Sequence, residues 1–243
     1  MSEPQNDGGA PKGFGGAVGI APGAWGVNRI LIALFVAVGA VLIGIGIVSA
    51  FDPDLESEGA SLAAQGVVAL SLIGVAVGFA RASSPGGPFS SLGFRRAGWA
   101  AIGLAFAAWF GYVIVAAQIA PLLQPEQQDV TRNLGVDEGT LSLVIAGFLI
   151  VVAAPFSEEI FFRGFMFAGL RRRIPLWPAA AVSAAFWGLL HLSGGNFGVA
   201  AQLTIFGLLL AWLYEQTGSL WPPIVAHAFN NALAFTLLVT DTI

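Results

Sequence analysis

Long apolar runs separated by short polar segments dominate the chain. The first run, from Ile30 to Phe51, has about 22 residues, enough for a helix that spans a bilayer and more than a signal-peptide core contains. Six further runs follow, at 62–80, 97–123, 140–171, 175–192, 197–214 and 220–239. We therefore predict an all-α fold, a polytopic transmembrane helical bundle of about seven spans, with six to eight possible.

The chain divides into three regions by pattern. Residues 1–28 are rich in Gly, Pro and Ala and lack apolar periodicity, which predicts a disordered tail. Residues 29–139 hold the first three spans and their loops, including the loop from 81 to 96. Residues 140–243 hold the remaining spans, and we expect Pro155 to bend the fourth because proline removes a helical hydrogen bond.

The composition agrees with a membrane protein. Hydrophobic residues make up 56% of the chain and charged residues only 10%, whereas a soluble domain has about 25% charged residues. The chain has no cysteine, which excludes disulfides, thiol nucleophiles and cysteine-ligated metals. The net charge of −4 argues against nucleic acid as a partner and leaves the lipid bilayer as the expected surroundings.

The basic residues predict the orientation, because they favour cytoplasmic loops. They cluster before span one, between spans two and three, and between spans four and five: Lys12, Arg29, Arg81, Arg95, Arg96 and Arg171 to Arg173. With seven spans, this pattern places the N-terminus in the cytoplasm and the C-terminus outside the cell. The expected membrane is the plasma (cytoplasmic) membrane. We also expect Trp25, Trp177 and Trp221 at the membrane interfaces.

Charged side chains and histidines lie inside the spans of the second half only, together with two asparagines. A charge at the centre of a membrane helix costs about 2.5–3.5 kcal/mol on insertion scales, so such residues face the protein interior or a wet cavity. The residues are Glu158, Glu159 and Arg163 in span four, His191 in span five, and His227, Asn230 and Asn231 in span seven.

The spacing of these residues predicts their partners. Glu159 and Arg163 are four residues apart, so they share a helix face and can form an ion pair. Glu158 is rotated by about 100° from Glu159, so we expect the two carboxylates to point at different places, one at the arginine and the other into a cavity. His227 and Asn231 lie on one face of span seven, whereas Asn230 is expected to be structural.

Three motifs in this region resemble those of the CAAX-processing and bacteriocin-processing (Abi) membrane proteases. They read Glu158-Glu159-Ile-Phe-Phe-Arg163-Gly, Trp187-Gly-Leu-Leu-His191 and His227-Ala-Phe-Asn230-Asn231. The resemblance covers about residues 140–240. The second motif usually has Phe four residues before the histidine, where this chain has Trp187, and we expect the indole to keep the packing role.

The resemblance implies a glutamate-dependent intramembrane endopeptidase that acts on a peptide or protein at the membrane. In that family Glu158, with His191, would activate a water, and His227 and Asn231 would stabilise the oxyanion. Arg163 would hold the second glutamate of the catalytic motif, Glu159, and Trp187 would support the site. Hydrolysis of a peptide bond does require a base and donors of this kind.

No metal or other cofactor is expected. The chain lacks the His-Glu-x-x-His zinc motif, the Gly-x-Ser-x-Gly elbow and a membrane aspartate pair. Zinc is not excluded, because two histidines and a glutamate are a known catalytic ligand set.

Other functions remain open at this point. The protein could be a non-catalytic membrane scaffold or bacteriocin-immunity protein that retains the site, or a transporter with a proton relay. Each polar feature also has a purely structural explanation. Glu159 and Arg163 could form a structural ion pair, His191 could bond to a backbone carbonyl, and His227 and Asn231 could form interhelical hydrogen bonds. A peptidase requires more: spans four, five and seven must converge, with the start of span seven displaced into the membrane.

Overall fold

The structure, a computed structural model, describes residues 25–55, 57–83, 87–125, 139–192 and 196–242. These residues form eight helices and contain no β-strand. The predicted all-α class is therefore confirmed for the described part of the chain.

The helices lie close to the predicted apolar runs. They are α1 (Val27–Ser49), α2 (Glu58–Arg81), α3 (Pro88–Ser91), α4 (Trp99–Leu123), α5 (Thr140–Arg171), α6 (Leu176–Leu190), α7 (Phe197–Thr217) and α8 (Trp221–Thr242).

Six helices are long and apolar enough to cross a membrane: α1, α2, α4, α5, α7 and α8. The seventh predicted span, α6, is apolar but has only 15 residues. The short helix α3 lies within the predicted loop from 81 to 96. The chain is therefore a multi-pass integral membrane protein whose seven apolar helices include one short member.

The described chain already packs against the bundle at Trp25, two residues before α1 begins. Residues 1–24 of the predicted tail lie outside the described residues, and α1 begins at Val27, inside the range predicted as tail. Trp25 is 1% exposed; its ring stacks on Phe165 at 4.8 Å and its Nε1 donates to the Phe165 carbonyl at 2.8 Å. Trp25 therefore packs inside the protein and does not face lipid, and its position at the depth of the membrane interface stays a prediction.

Helix α5 changes its winding near the predicted site. Pro155 lies in an α-helical stretch, Ala154–Glu158, between two π-helical stretches, Leu149–Ala153 and Glu159–Phe167. A π-helical stretch shifts the backbone bonds to i→i+5 and is frequent at functional sites. Neighbouring side chains donate to carbonyls of the second stretch, as Trp25 does to Phe165 and the Ser183 hydroxyl does to Phe162 at 2.8 Å.

Small residues bring the helices of the second half into close contact. A Cβ added at Gly207 of α7 would lie 2.8 Å from the Ala184 Cβ of α6, and one at Gly188 would lie 2.6 Å from the Ala200 carbonyl oxygen. Helix α4 packs against α7 and α8, and α2 packs along α5. The spans of both halves thus form one bundle around α5.

A strap, defined here as residues Leu92 to Arg95, reaches from the α2–α4 connection into the bundle. Its carbonyls accept hydrogen bonds from the end of α7 and the turn before α8: Leu92 from the Tyr214 hydroxyl, Gly93 from the Leu220 N–H and Arg95 from the Ser219 hydroxyl, at 3.0, 2.9 and 2.7 Å. Gly93 has φ +96° and its missing Cβ would collide with the Tyr214 ring, so glycine is required there. The strap therefore fixes the start of α8.

Candidate active site

The predicted ion pair of α5 is present and completely buried. Arg163 Nη1 donates to Glu159 Oε1 at 2.8 Å, and both side chains are 0% exposed. Arg163 also donates from Nη2 to the Gly207 carbonyl at 3.3 Å. Among the described residues, Glu159 Oε2 and Arg163 Nε have no hydrogen-bond partner. A buried charge pair of this kind requires both members, because either charge alone would be expensive to bury.

His227 of α8 contacts both glutamates. Its Nδ1 lies 2.9 Å from Glu159 Oε1, and its Nε2 lies 3.9 Å from Glu158 Oε2. Since Arg163 keeps a positive charge beside Glu159, a carboxylate accepts from His227 Nδ1, and this bond orients the ring. In the neutral imidazole the lone pair is then on Nε2, toward Glu158.

The carboxylates of Glu158 and Glu159 both lie near one side chain, which their spacing along the helix does not predict. We expected them to point at different places, yet they face the two nitrogens of one imidazole ring. An imidazole carries these nitrogens on separate edges, so it can meet two groups that leave a helix in different directions. As expected, only one of the two carboxylates pairs with the arginine. Glu159 bonds to Arg163 and is fully buried, whereas Glu158 is 15% exposed.

Trp187 of α6 does more than pack. Its Nε1 donates to Glu158 Oε2 at 2.5 Å, and its ring lies beside His191 and His227 with centroids 5.3 and 5.1 Å away. Arg163 Cζ lies 4.7 Å from the Trp187 ring centroid, within the range of a cation–π contact. The sequence predicts only the packing role.

His191 follows Trp187 by one turn, at the end of α6. Its Nδ1 lies 2.9 Å from the Trp187 carbonyl oxygen, and a carbonyl can only accept, so Nδ1 carries the proton. In the neutral ring Nε2 then carries the lone pair. The bond to a backbone carbonyl, considered above as a structural role, thus exists and also fixes the tautomer.

The two asparagines of α8 have different partners. Asn231 donates from Nδ2 to the carbonyl of Ile150, in the first π-helical stretch of α5, at 3.0 Å. Asn230 accepts at Oδ1 from Trp109 Nε1 of α4 at 3.3 Å. An amide nitrogen has two N–H groups, so Asn231 retains a second donor.

Helices α5, α6 and α8 therefore converge, as a peptidase site requires. Glu158, Trp187 and His227 come from three helices and lie in mutual contact. The side chain of Leu220, just before α8, lies beside Gly164. Gly164 is seven residues before Arg171, about 10 Å along a straight helix, so α8 begins well inside the bundle. Within the described ranges, no group of three or more His, Asp or Glu side chains is arranged to hold a metal ion.

Ser183 is a contributor that the sequence reasoning missed. It lies one turn before Trp187 and is 0% exposed, and its hydroxyl bonds to Phe162 of α5. Ser183, Trp187 and His191 thus form a stripe at four-residue spacing along α6. This four-residue spacing was the one sequence feature that could have indicated a role for Ser183. Serine is also common at ordinary helix-packing positions, so the spacing alone did not single it out.

Comparisons with known proteins agree with this region. Residues 140–233 match the family model described as type II CAAX prenyl endopeptidase Rce1-like. The candidate membrane peptidase YdiL of Bacillus subtilis is 30% identical over 80 residues, which are 33% of this chain and 32% of that protein. Human CAAX prenyl protease 2 is 31% identical over 101 residues, 35% of this chain and 31% of the human protein.

The uncharacterized protein YyaK of Bacillus subtilis is 26% identical over 140 residues, 55% of this chain and 46% of that protein. The chain thus spans from about a third to just under half of the length of these relatives. No solved structure gives a significant match.

Proposed function

The chain carries an Rce1-like region at residues 140–233, related to the CAAX-protease family, and on this premise we propose that it is an intramembrane endopeptidase. The reaction is the hydrolysis of a peptide bond in a membrane-associated peptide or protein. Glu158 is the general base, and the three motif-bearing helices supply the rest of the site.

One observation carries the assignment of the base. Of the two adjacent carboxylates, Glu159 is fully buried and paired with Arg163, whereas Glu158 is partly exposed and faces His227 Nε2. A general base has to reach water and substrate. Glu158 has that access, and Glu159 instead orients His227 as a carboxylate orients the histidine of a hydrolase.

The proposed step uses a water beside Glu158. A water about 2.8 Å from each atom can contact both Glu158 Oε2 and His227 Nε2 across their separation of 3.9 Å. An O–H bond of this water breaks, the proton passes to Glu158, and the oxygen forms a bond to the carbonyl carbon of the substrate. The carbonyl electron pair moves to oxygen and forms the oxyanion.

The remaining residues have supporting roles. His191, with its lone pair on Nε2, acts with Glu158 on the water, as the resemblance implies. The second N–H of Asn231 donates to the oxyanion, the first N–H being held by Ile150. His227 donates to the oxyanion from Nε2 in its doubly protonated form, because Nδ1–H is held by Glu159. The oxyanion electron pair then re-forms the carbonyl, the C–N bond breaks, and Glu158 gives its proton to the nitrogen of the leaving amine. We propose that this reaction proceeds without a bound metal.

We also propose the orientation that the basic residues predict. The N-terminus is cytoplasmic, the catalytic region comprises 140–243, and the spans within 29–139 support it. A prenylated CAAX peptide belongs among the test substrates because the human relative bears that name.

The test is peptide cleavage by the purified full chain in liposomes, with a peptide library that includes prenylated CAAX peptides. We expect the wild type to cleave and Glu158→Gln to be inactive at equal yield. The control is Glu215→Gln, since Glu215 pairs with Arg171 at the far end of α5 and should be dispensable for cleavage. Equal cleavage by wild type and Glu158→Gln would overturn the proposal, and so would a wild type without any cleavage.

A further inference from the structure

The indole N–H of Trp187 is committed to the proposed base. A tryptophan has one polar hydrogen and can only donate, and here the acceptor is Glu158 Oε2 at 2.5 Å. When Glu158 is ionised, this is a hydrogen bond to a charged acceptor, which is stronger than a bond between neutral groups. The phenylalanine usual at this place in the second motif has no N–H, so it could not form this bond.

The same ring contacts the other ionisable side chains of the site. Arg163 lies over its face, and His191 and His227 each meet it edge to face. Trp187 therefore touches Glu158, Arg163, His191 and His227, and it is itself only 1% exposed. Any rotation of the indole would change the surroundings of all four.

Contacts on either side of Trp187 fix the position of α6 against α5 and α7. One turn before it, Ser183 bonds to Phe162 of α5 and so sets the register of α6 against α5. One residue after it, Gly188 packs directly on Ala200 and Thr204 of α7, which leaves no room for α6 to move that way.

From these contacts we propose that Trp187 is a positioning residue that acts through Glu158. Its N–H holds Oε2 of the carboxylate and fixes the rotamer of Glu158, so that the carboxylate stays beside His227 Nε2, where the water is activated. This inference rests on the proposed function, because it assigns a role within the same reaction. It predicts that removal of the N–H alone, with the ring retained, disturbs the chemical step and leaves substrate binding unchanged.

The first test is spectroscopic and does not depend on cleavage. The chain has seven tryptophans, so indole ¹H–¹⁵N spectra of the full chain in nanodiscs contain seven side-chain signals. We expect one signal to move in Glu158→Gln while the other six stay in place, and that signal to be missing in Trp187→Phe. If no indole signal responds to Glu158→Gln, or if the responding one persists in Trp187→Phe, the proposal is overturned.

The second test separates binding from chemistry. We expect Trp187→Phe to lower kcat about tenfold, as loss of one hydrogen bond to a charged group does, with KM within twofold. The matched control is Trp109→Phe, which removes the indole bond to Asn230 and should leave kcat unchanged. An unchanged kcat in Trp187→Phe, or an equal loss in both variants, would overturn the proposal. A wild type that cleaves no peptide would refute the proposed function, whereas the indole signals would still decide the contact.

Discussion

Glu159 and Arg163 form an ion pair within one helix from which solvent is wholly excluded, both side chains being 0% exposed. The second partner of Glu159, His227, comes from α8, and the second partner of Arg163, Gly207, comes from α7. The pair therefore joins three helices at the level of the proposed base. Loss of either member leaves the other as a buried charge without its counterion.

Arg163→Ala is expected to lower stability and activity together. Breaking a buried ion pair costs about 3–5 kcal/mol, so thermal unfolding in detergent should occur at a clearly lower temperature and the yield should fall. The control is Arg171→Ala, whose pair with Glu215 is 21% and 13% exposed, so the carboxylate left behind can be hydrated and the loss should be smaller. Equal unfolding temperatures of Arg163→Ala and wild type would contradict this role of the pair.

Asn231→Ala should destabilise α5, whereas Asn230→Ala should have a smaller effect. Both bonds are partly buried, but that of Asn231 is the shorter, at 3.0 Å, and its acceptor is a carbonyl of a π-helical stretch, so we expect its loss to cost about 1 kcal/mol. The bond of Asn230 to Trp109 is longer, at 3.3 Å. Hydrogen exchange of α5 amides would measure the effect, and equal protection in the two variants would argue against the role of Asn231.

Activity is expected to survive chelation. The proposed base is a carboxylate that acts directly on water, with histidine and asparagine donors in place of a Lewis acid. Elemental analysis of active protein should find no stoichiometric zinc, and treatment with a strong chelator should leave the cleavage rate unchanged. Stoichiometric zinc together with loss of activity after chelation would refute a metal-free reaction.

Gly93→Ala should displace the strap and, through it, α8. The residue has φ +96° and lies against Tyr214, so an added methyl group strains the backbone and meets the ring at once. We expect lower yield and lower activity, because the start of α8 carries His227. Gly103→Ala is the matched control, since a Cβ there meets nothing within 4 Å. A fully active Gly93→Ala would show that the strap does not position the site.

The features predicted from sequence are those that apolar runs and helical spacing encode. The runs predicted the long helices to within a few residues, and the four-residue spacing predicted the pair of Glu159 and Arg163. The motif order predicted that helices carrying Glu158 and His227 would meet. Each of these follows from the pattern of residue types along a helix.

The features that were missed depend on hydrogen-bond partners in space. The winding of α5 is a choice of backbone register that no apolar pattern records. Trp25 stands alone in a Gly/Pro-rich segment, so nothing in the sequence points to its partner Phe165, 140 residues away. The donor role of Trp187 was overlooked because an aromatic residue in an apolar helix is ordinarily read as packing.

The shortness of α6 has a consequence for the surrounding lipid. Fifteen residues extend about 22 Å, whereas the hydrocarbon layer is about 30 Å thick. This hydrophobic mismatch is relieved either by local thinning of the bilayer or by a helix end that lies below the headgroups. Where the bilayer thins, bulk solvent comes closer to His191, at the end of α6. A hydrolase buried in lipid needs such access to bulk solvent, because one of its substrates is water.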